Sequence, residues 1–303
     1  MLNKLIANMV AVMPEKFVWL FSQRYIAGRT LEEAMATSKM LNSKGIDCTV
    51  DVLGEYITKK EEAVEYKEMY LRTIASVKEN KVEASISVKP TMFGLLLDKD
   101  FCYSHIRELI IEARKQEVTI CLDMEDSACT DDEIALFQKL YTEFPDSVSF
   151  VLQAYLKRTL NDLKYLTTFN NKEYPINIRL CKGIYVEPED IAFKNKHRIN
   201  KNYTESLDYM MQHNFYCSIA THDKSLIREA FHLIEKHKYA KSMYEFQMLY
   251  GVRPKLRDQI VQKGNKMRIY VPYGQNWFGY STRRLKENPR MVTDIIKALI
   301  IRN

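Results

Sequence analysis

The sequence predicts a parallel (β/α)8 barrel, and three observations predict it. Eight short runs of apolar and β-branched residues alternate with helix-patterned segments over ~250 residues, the rhythm of repeated β-α units. No stretch with linker composition divides them. Each run also has a polar or charged residue at or just past its C-terminal end, and a barrel gathers those ends onto one face. The organisation expected is N-terminal helices over residues 1–45 and a barrel domain over residues 46–303.

In chain order, MLNKLIANMVAVMPEKFVWLF has an apolar run broken by Asn8 and Pro14. It lacks an A-x-A pattern and is too short to span a bilayer, so it reads as an amphipathic helix, a break at Pro14 and a second helix. GRTLEEAMATSKMLNSKG has helical spacing, with Thr30 and Glu33 as a capping box and Gly45 as the stop. The strands then read as CTVDVLGE (48–55), ASISVKP (84–90), VTICLDME (118–125), VSFVLQAY (148–155), NIRLCKG (177–183), CSIATHD (217–223), YEFQMLYG (244–251) and MRIYVPYG from Met267. The helices between them run to about Asn80, from Phe101 to Lys115, from Asp131 to Phe144, through Thr168, from Lys201 to His213, to Lys238 and to Lys263. After the eighth strand, one helix is expected to reach about Asn288, where Pro289 discourages continuation, and another to run from Pro289 to Ile301.

Composition narrows the function. The chain has 303 residues and a formal charge of +6 without any dense Lys/Arg tract, which excludes a nucleic-acid binder as the leading reading. That balance suits an anionic substrate, or loose contact with an anionic membrane face. Six scattered cysteines without a CxxC read as reduced residues of a cytosolic protein, and six histidines without HExxH or a close pair argue against a metal.

The polar strand ends are, in order, Glu55, Lys89, Asp123 with Glu125, Gln153 with Tyr155, Arg179 with Lys182, Thr221 with His222, Gln247 with Tyr250, and Tyr270 with Tyr273. The N-terminal ends are expected to carry no comparable set. Past the eighth strand, Tyr280, Arg283, Arg284 and Glu287 fall within one arc ~100° wide on a helix. Alone, that pattern is a solvated charged face with Arg283 and Glu287 as an i,i+4 pair. At a strand end, two arginines can fork onto a carboxylate or phosphate. No GxSxG elbow and no GxGxxG follows any strand. Residue chemistry therefore leads to a barrel enzyme acting on an anionic small molecule and compatible with a phosphorylated cofactor. A Schiff-base aldolase using Lys89 or Lys182, and a degenerate barrel that only binds, remain alternatives.

The strand-end motifs SVKP-T-x-x-GL, ICLDMED, VLQAYLKRT, RLCKGIY, IATHD, EFQMLYG and R-x-YVPYG-x-x-W-x-x-Y-x-x-RRLxENP go further. In that order they resemble the proline dehydrogenase family, most closely its short bacterial single-function members, from about Gly28 to Pro289. The resemblance implies a distorted (β/α)8 TIM-like barrel that binds FAD on its C-terminal face and oxidises L-proline to Δ1-pyrroline-5-carboxylate. It also implies a membrane quinone as electron acceptor, a cytoplasmic location at or near the inner membrane face, and a downstream pyrroline-carboxylate dehydrogenase. Carried over residue by residue, it implies that Lys89, Arg283 and Arg284 hold the proline carboxylate, and that Tyr270, Tyr280 and Leu249 wall its ring. Arg179 would lie beside the flavin's reactive nitrogen, with Asp123 beneath the site near Lys89. Gln153, Lys182, Gly183, Thr221 and His222 would contact the cofactor, Tyr185 and Glu287 would line or buttress the pocket, and Glu55 would gate access. An aromatic Tyr270 favours proline over hydroxyproline. The sequence departs from the family pattern at Pro90, Cys181, Ile184, Val186, Asn200 and Gly279, which leaves the charges of the proline site intact but touches the flavin contacts.

Overall fold

A computed structural model describes residues 18–19, 22–54 and 56–281. The expected helices near the N-terminus before Val18, the gate Glu55, the arginine pair with Glu287 and the closing helix lie outside the described residues. Eight parallel strands close into a barrel in sequence order: β1 (Asp47–Val52), β2 (Ala84–Val88), β3 (Ile120–Leu122), β4 (Val148–Gln153), β5 (Asn177–Cys181), β6 (Tyr216–Ala220), β7 (Tyr244–Leu249) and β8 (Met267–Tyr273). The ring shuts where β1 pairs with β8, from Asp47 opposite Arg268 to Val52 opposite Tyr273. The helices are α1 (Leu31–Asn42), α2 (Lys60–Glu79), α3 (Lys99–Lys115), α4 (Thr130–Glu143), α5 (Thr159–Thr167), α6 (Lys196–Gln212), α7 (Lys224–Lys236) and α8 (Pro254–Gln262).

Period-two alternation sorts each strand. Val50, Ile86, Ile120, Phe150, Ile178, Ile219, Phe246 and Ile269 are buried and pack beneath the helices as the main apolar core. The intervening residues point inward, which the side-chain contacts establish. Arg179 on β5 reaches Ser87 on β2, and Tyr270 on β8 reaches Asp123 beyond β3; both contacts join non-adjacent strands and so cross the interior.

Local signals place the helices. α1 opens with Thr30 accepting from the Glu33 amide while the Glu33 carboxylate accepts from the Thr30 amide, the expected capping box. Gly45, at φ +69°, makes the turn that follows. α6 begins at Lys196, five residues before the expected start, because Asn195 caps it by accepting from the amides of His197 and Arg198. A short 3-10 turn over Pro90–Phe93 was not anticipated. Pro90 keeps Lys89 extended and starts that turn, since proline disfavours helical geometry in the residue before it.

Two expectations are corrected. The strands are shorter than read: β1 stops at Val52 and β3 at Leu122, so Lys89, Asp123 and Glu125 stand in the loops past the ladder. Apolar residues such as Leu53 and Met124 continue those runs and line the mouth instead of extending the sheet. The N-terminal end of the barrel is not free of charge either. Arg268 pairs with Glu245 at 2.7 Å and Asp47 at 3.2 Å, and Lys266 with the same two carboxylates at 3.3 and 3.5 Å. Gln247 donates to Glu245 at 2.7 Å. Burial opposes ionisation of Glu245, but Arg268 and Lys266 outweigh it and hold the carboxyl below its ordinary range. This is a closed structural network. Polar residues at alternate positions run the length of the barrel's inside, and a reading confined to strand tips could not see them.

Candidate active site

A cavity of about 1240 Å³ opens at the C-terminal mouth. Its floor is a compact charged cluster. Lys89 Nζ lies 2.5 Å from Asp51 Oδ1 and 3.9 Å from Asp123 Oδ2. Arg179 Nη1 donates to Asp123 Oδ1 at 2.6 Å, and Ser87 Oγ donates to the same oxygen at 2.6 Å. Tyr270 completes it, its hydroxyl donating to Asp123 Oδ2 at 2.8 Å while the Arg179 guanidinium carbon sits 5.2 Å from its ring centre.

Two cations and two carboxylates balance formally across this floor, where burial pushes the Asp51 carboxyl up and Lys89 pulls against it. Burial alone would discharge Lys89, but Asp51 and Asp123 outweigh it and hold the ammonium above the ordinary lysine range. Burial and the Asp123 charge push the Tyr270 hydroxyl well above the usual tyrosine range, so it stays a donor. Among the described residues, Arg179 Nε is buried with no hydrogen-bond partner, a costly state for a guanidinium. Asp51 was missed by the sequence reading, which took Glu55 as the acidic residue of the first strand. The signal was present: Thr49 and Asp51 alternate on the inward face of β1.

The walls divide into two regions. One carries Gln153, Lys182, Gly183, Thr221, His222 and Tyr185. Gln153 donates to the Glu125 carbonyl at 2.7 Å, and the Leu249 amide donates to His222 Nε2 at 2.8 Å. Lys182 pairs with Asp223 at 2.8 Å; Asp223 also caps α7 and lies 3.4 Å from Lys196. Lys196, Lys224 and Arg253 extend this cationic side of the cavity. Gly183, at φ +98°, lets the chain turn where a Cβ would meet the Tyr155 ring at 2.0 Å. The other region carries Leu249, Tyr270 and Tyr280, beside Lys89. All of the expected site residues within the described chain therefore face one cavity or its floor.

The fit to FAD follows from this donor set. The volume accommodates a dinucleotide-sized group, the lysines and Arg253 suit a pyrophosphate, and Arg179 with Gln153 offers donors to a ring rich in acceptors. No group of three or more His, Cys, Asp or Glu that could hold a metal occurs among the described residues.

Comparison with known proteins agrees with this geometry. The proline dehydrogenase family pattern matches residues 34–295. Proline dehydrogenase 2 of Bacillus subtilis (strain 168) is 35% identical over 276 residues, 91% of this chain and 89% of its own length. Proline dehydrogenase of Deinococcus radiodurans is 31% identical over 287 residues, with 93% and 91% covered. The bifunctional protein PutA of Escherichia coli (strain K12) is 26% identical over 310 residues, and only 23% of its length is covered. Among solved structures, proline utilization A (PutA) from Bdellovibrio bacteriovorus superposes with a TM-score of 0.83 at 26% identity, covering 88% of this chain and 32% of that one. The chain belongs to the proline dehydrogenase family and resembles its short single-function members along nearly their full length.

Proposed function

We propose that this member of the proline dehydrogenase family oxidises L-proline to Δ1-pyrroline-5-carboxylate with FAD bound in the mouth of the barrel, and passes the electrons to a quinone. The observation that carries the reading is the cluster Asp51–Lys89–Asp123–Arg179–Tyr270 beneath a cavity of dinucleotide size. Bound FAD supplies a two-electron acceptor for the hydride on the proline ring carbon next to the amine.

The chain's own residues bind and orient. Because the formal charges of the floor balance, the positive charge that recruits a carboxylate would come from Arg283 and Arg284, the pair that the family resemblance assigns to it. Lys89 spends one N–H on Asp51 and keeps others for a carboxylate oxygen. Tyr270, Tyr280 and Leu249 would wall the ring and exclude water from it. Arg179, anchored by Asp123 and Ser87, is fixed before any ligand arrives and can face developing negative charge without reorganising. Lys182, Lys196 and Arg253 would hold the pyrophosphate. A quinone suits the apolar residues at the mouth, where Ile184 is 45% and Val186 98% exposed, and the same loop could rest against a membrane face. No helix among the described residues is long and apolar enough to cross a membrane. The product is the substrate for a pyrroline-carboxylate dehydrogenase acting downstream.

The Schiff-base alternative is disfavoured by the same floor. A lysine nucleophile needs a lowered pKa, whereas Lys89 is held charged. The test is turnover: FAD-supplemented protein with L-proline and a soluble quinone should form the pyrroline product. Absence of product, or trapping of a substrate on Lys89 by borohydride, would end this reading.

A further inference from the structure

Arg29 lies outside the cavity, in the segment that leads into α1, yet its contacts run to the wall of the cavity. The segment is tied to the barrel by its backbone. Ala27 donates to the Pro272 carbonyl at 2.9 Å and Gly274 to the Gly28 carbonyl at 3.2 Å, so residues 27–28 pair with the exit of β8. Gly28 is needed there, since a Cβ would meet the Glu33 side chain at 2.3 Å.

The Arg29 guanidinium is held over two indoles, 4.0 Å from the ring centre of Trp19 and 5.2 Å from that of Trp277. The indoles meet edge-on, with centroids 4.7 Å apart. Trp277 opens the helical turn 277–281 and shares a separate apolar cluster with Val18, Ile26, Leu53 and Tyr280. Tyr280 stands three residues after Trp277, on the same face of the turn, and lines the cavity. The Gln275 amide adds a weak bond to the Arg29 carbonyl at 3.4 Å.

We propose that Arg29 is a positioning residue for the reaction: by clamping Trp277 against Trp19 it fixes the turn that sets Tyr280 against the substrate ring. The inference rests on the reading that Tyr280 walls the proline subsite. The cation rests over both indoles while they touch each other edge-on, and at an exposed site the energy of such a contact corresponds to roughly a two- to fivefold effect on an equilibrium. With the clamp released, Tyr280 samples more than one position and binding weakens, while the groups on the floor remain in place.

The experiment uses FAD-loaded full chain and three proteins: wild type, Arg29→Ala and Arg29→Lys. For Arg29→Ala the expected result is a KM for proline raised about two- to fivefold with kcat unchanged. Arg29→Lys, which keeps a cation over the rings, should recover most of the loss. The chain's two tryptophans are Trp19 and Trp277, so intrinsic emission reports this contact directly and should shift to the red in Arg29→Ala. An Arg29→Ala protein with wild-type KM overturns the inference, and so does one whose only change is a lower melting temperature. Wild-type protein inert toward proline overturns the substrate reading and this inference with it, whereas active wild type with an unaltered variant overturns this inference alone.

Discussion

Lys89 and Asp51 meet at 2.5 Å on the barrel floor, both buried, and each is the other's closest charged partner. Among the described residues, Asp51→Asn would leave the lysine with only the 3.9 Å ion pair to Asp123. Breaking one side of a buried pair typically costs 3–5 kcal/mol, so the variant should lose roughly that much in denaturant unfolding; a change under about 1 kcal/mol contradicts the pairing. Glu125 gives a pH prediction. Burial pushes its carboxyl up to about 7, against hydrogen bonds from the Thr91 amide and hydroxyl that favour the charged form. With the folded value above the unfolded value of about 4.3, the neutral acid is what folding favours, so its contribution is full below the unfolded value and is lost as pH rises through about 7. Melting curves from pH 5 to 8 should show wild type losing stability relative to Glu125→Gln. Parallel curves would refute the assignment.

At the scale of elements, the loop after β5 carries a turn that lines the cavity. Gly183 sits at φ +98° with the Tyr155 ring in the space its side chain would take. Gly183→Ala should strain the backbone by about 1–3 kcal/mol and displace Tyr155, weakening FAD affinity by about tenfold or more in a titration. Equal affinity would remove this turn from the cofactor site. The elements also mark what could be read in advance. Lys89, Asp123, Arg179 and Tyr270 were legible because each is a polar residue interrupting an apolar run near a strand end. Asp51 was not, because it lies one alternation below the tip and its importance comes from a partner on the neighbouring unit. Arg268 and Glu245 escaped for a related reason: a strand pattern reports which face a residue takes, not that two inward charges meet across the barrel. The Arg29 clamp joins opposite ends of the chain through a bridge pairing that no local spacing encodes.

Across the whole molecule, the barrel separates its tasks along the axis. One charged network closes the N-terminal end, where Arg268, Glu245, Asp47 and Lys266 satisfy one another. The other underlies the open mouth, where Lys89 and Arg179 are anchored but still face the cavity. Parallel strands with inward alternation produce both from the same rule, and the loops after the strands add the surface that meets a ligand. The central claim is that this mouth brings L-proline against FAD. The visible spectrum of FAD-loaded protein, recorded without oxygen before and after L-proline is added, tests it most directly. The account predicts a bound flavin whose absorbance bleaches on addition of proline. A protein that takes up no flavin, or whose flavin band is unchanged by proline, contradicts it.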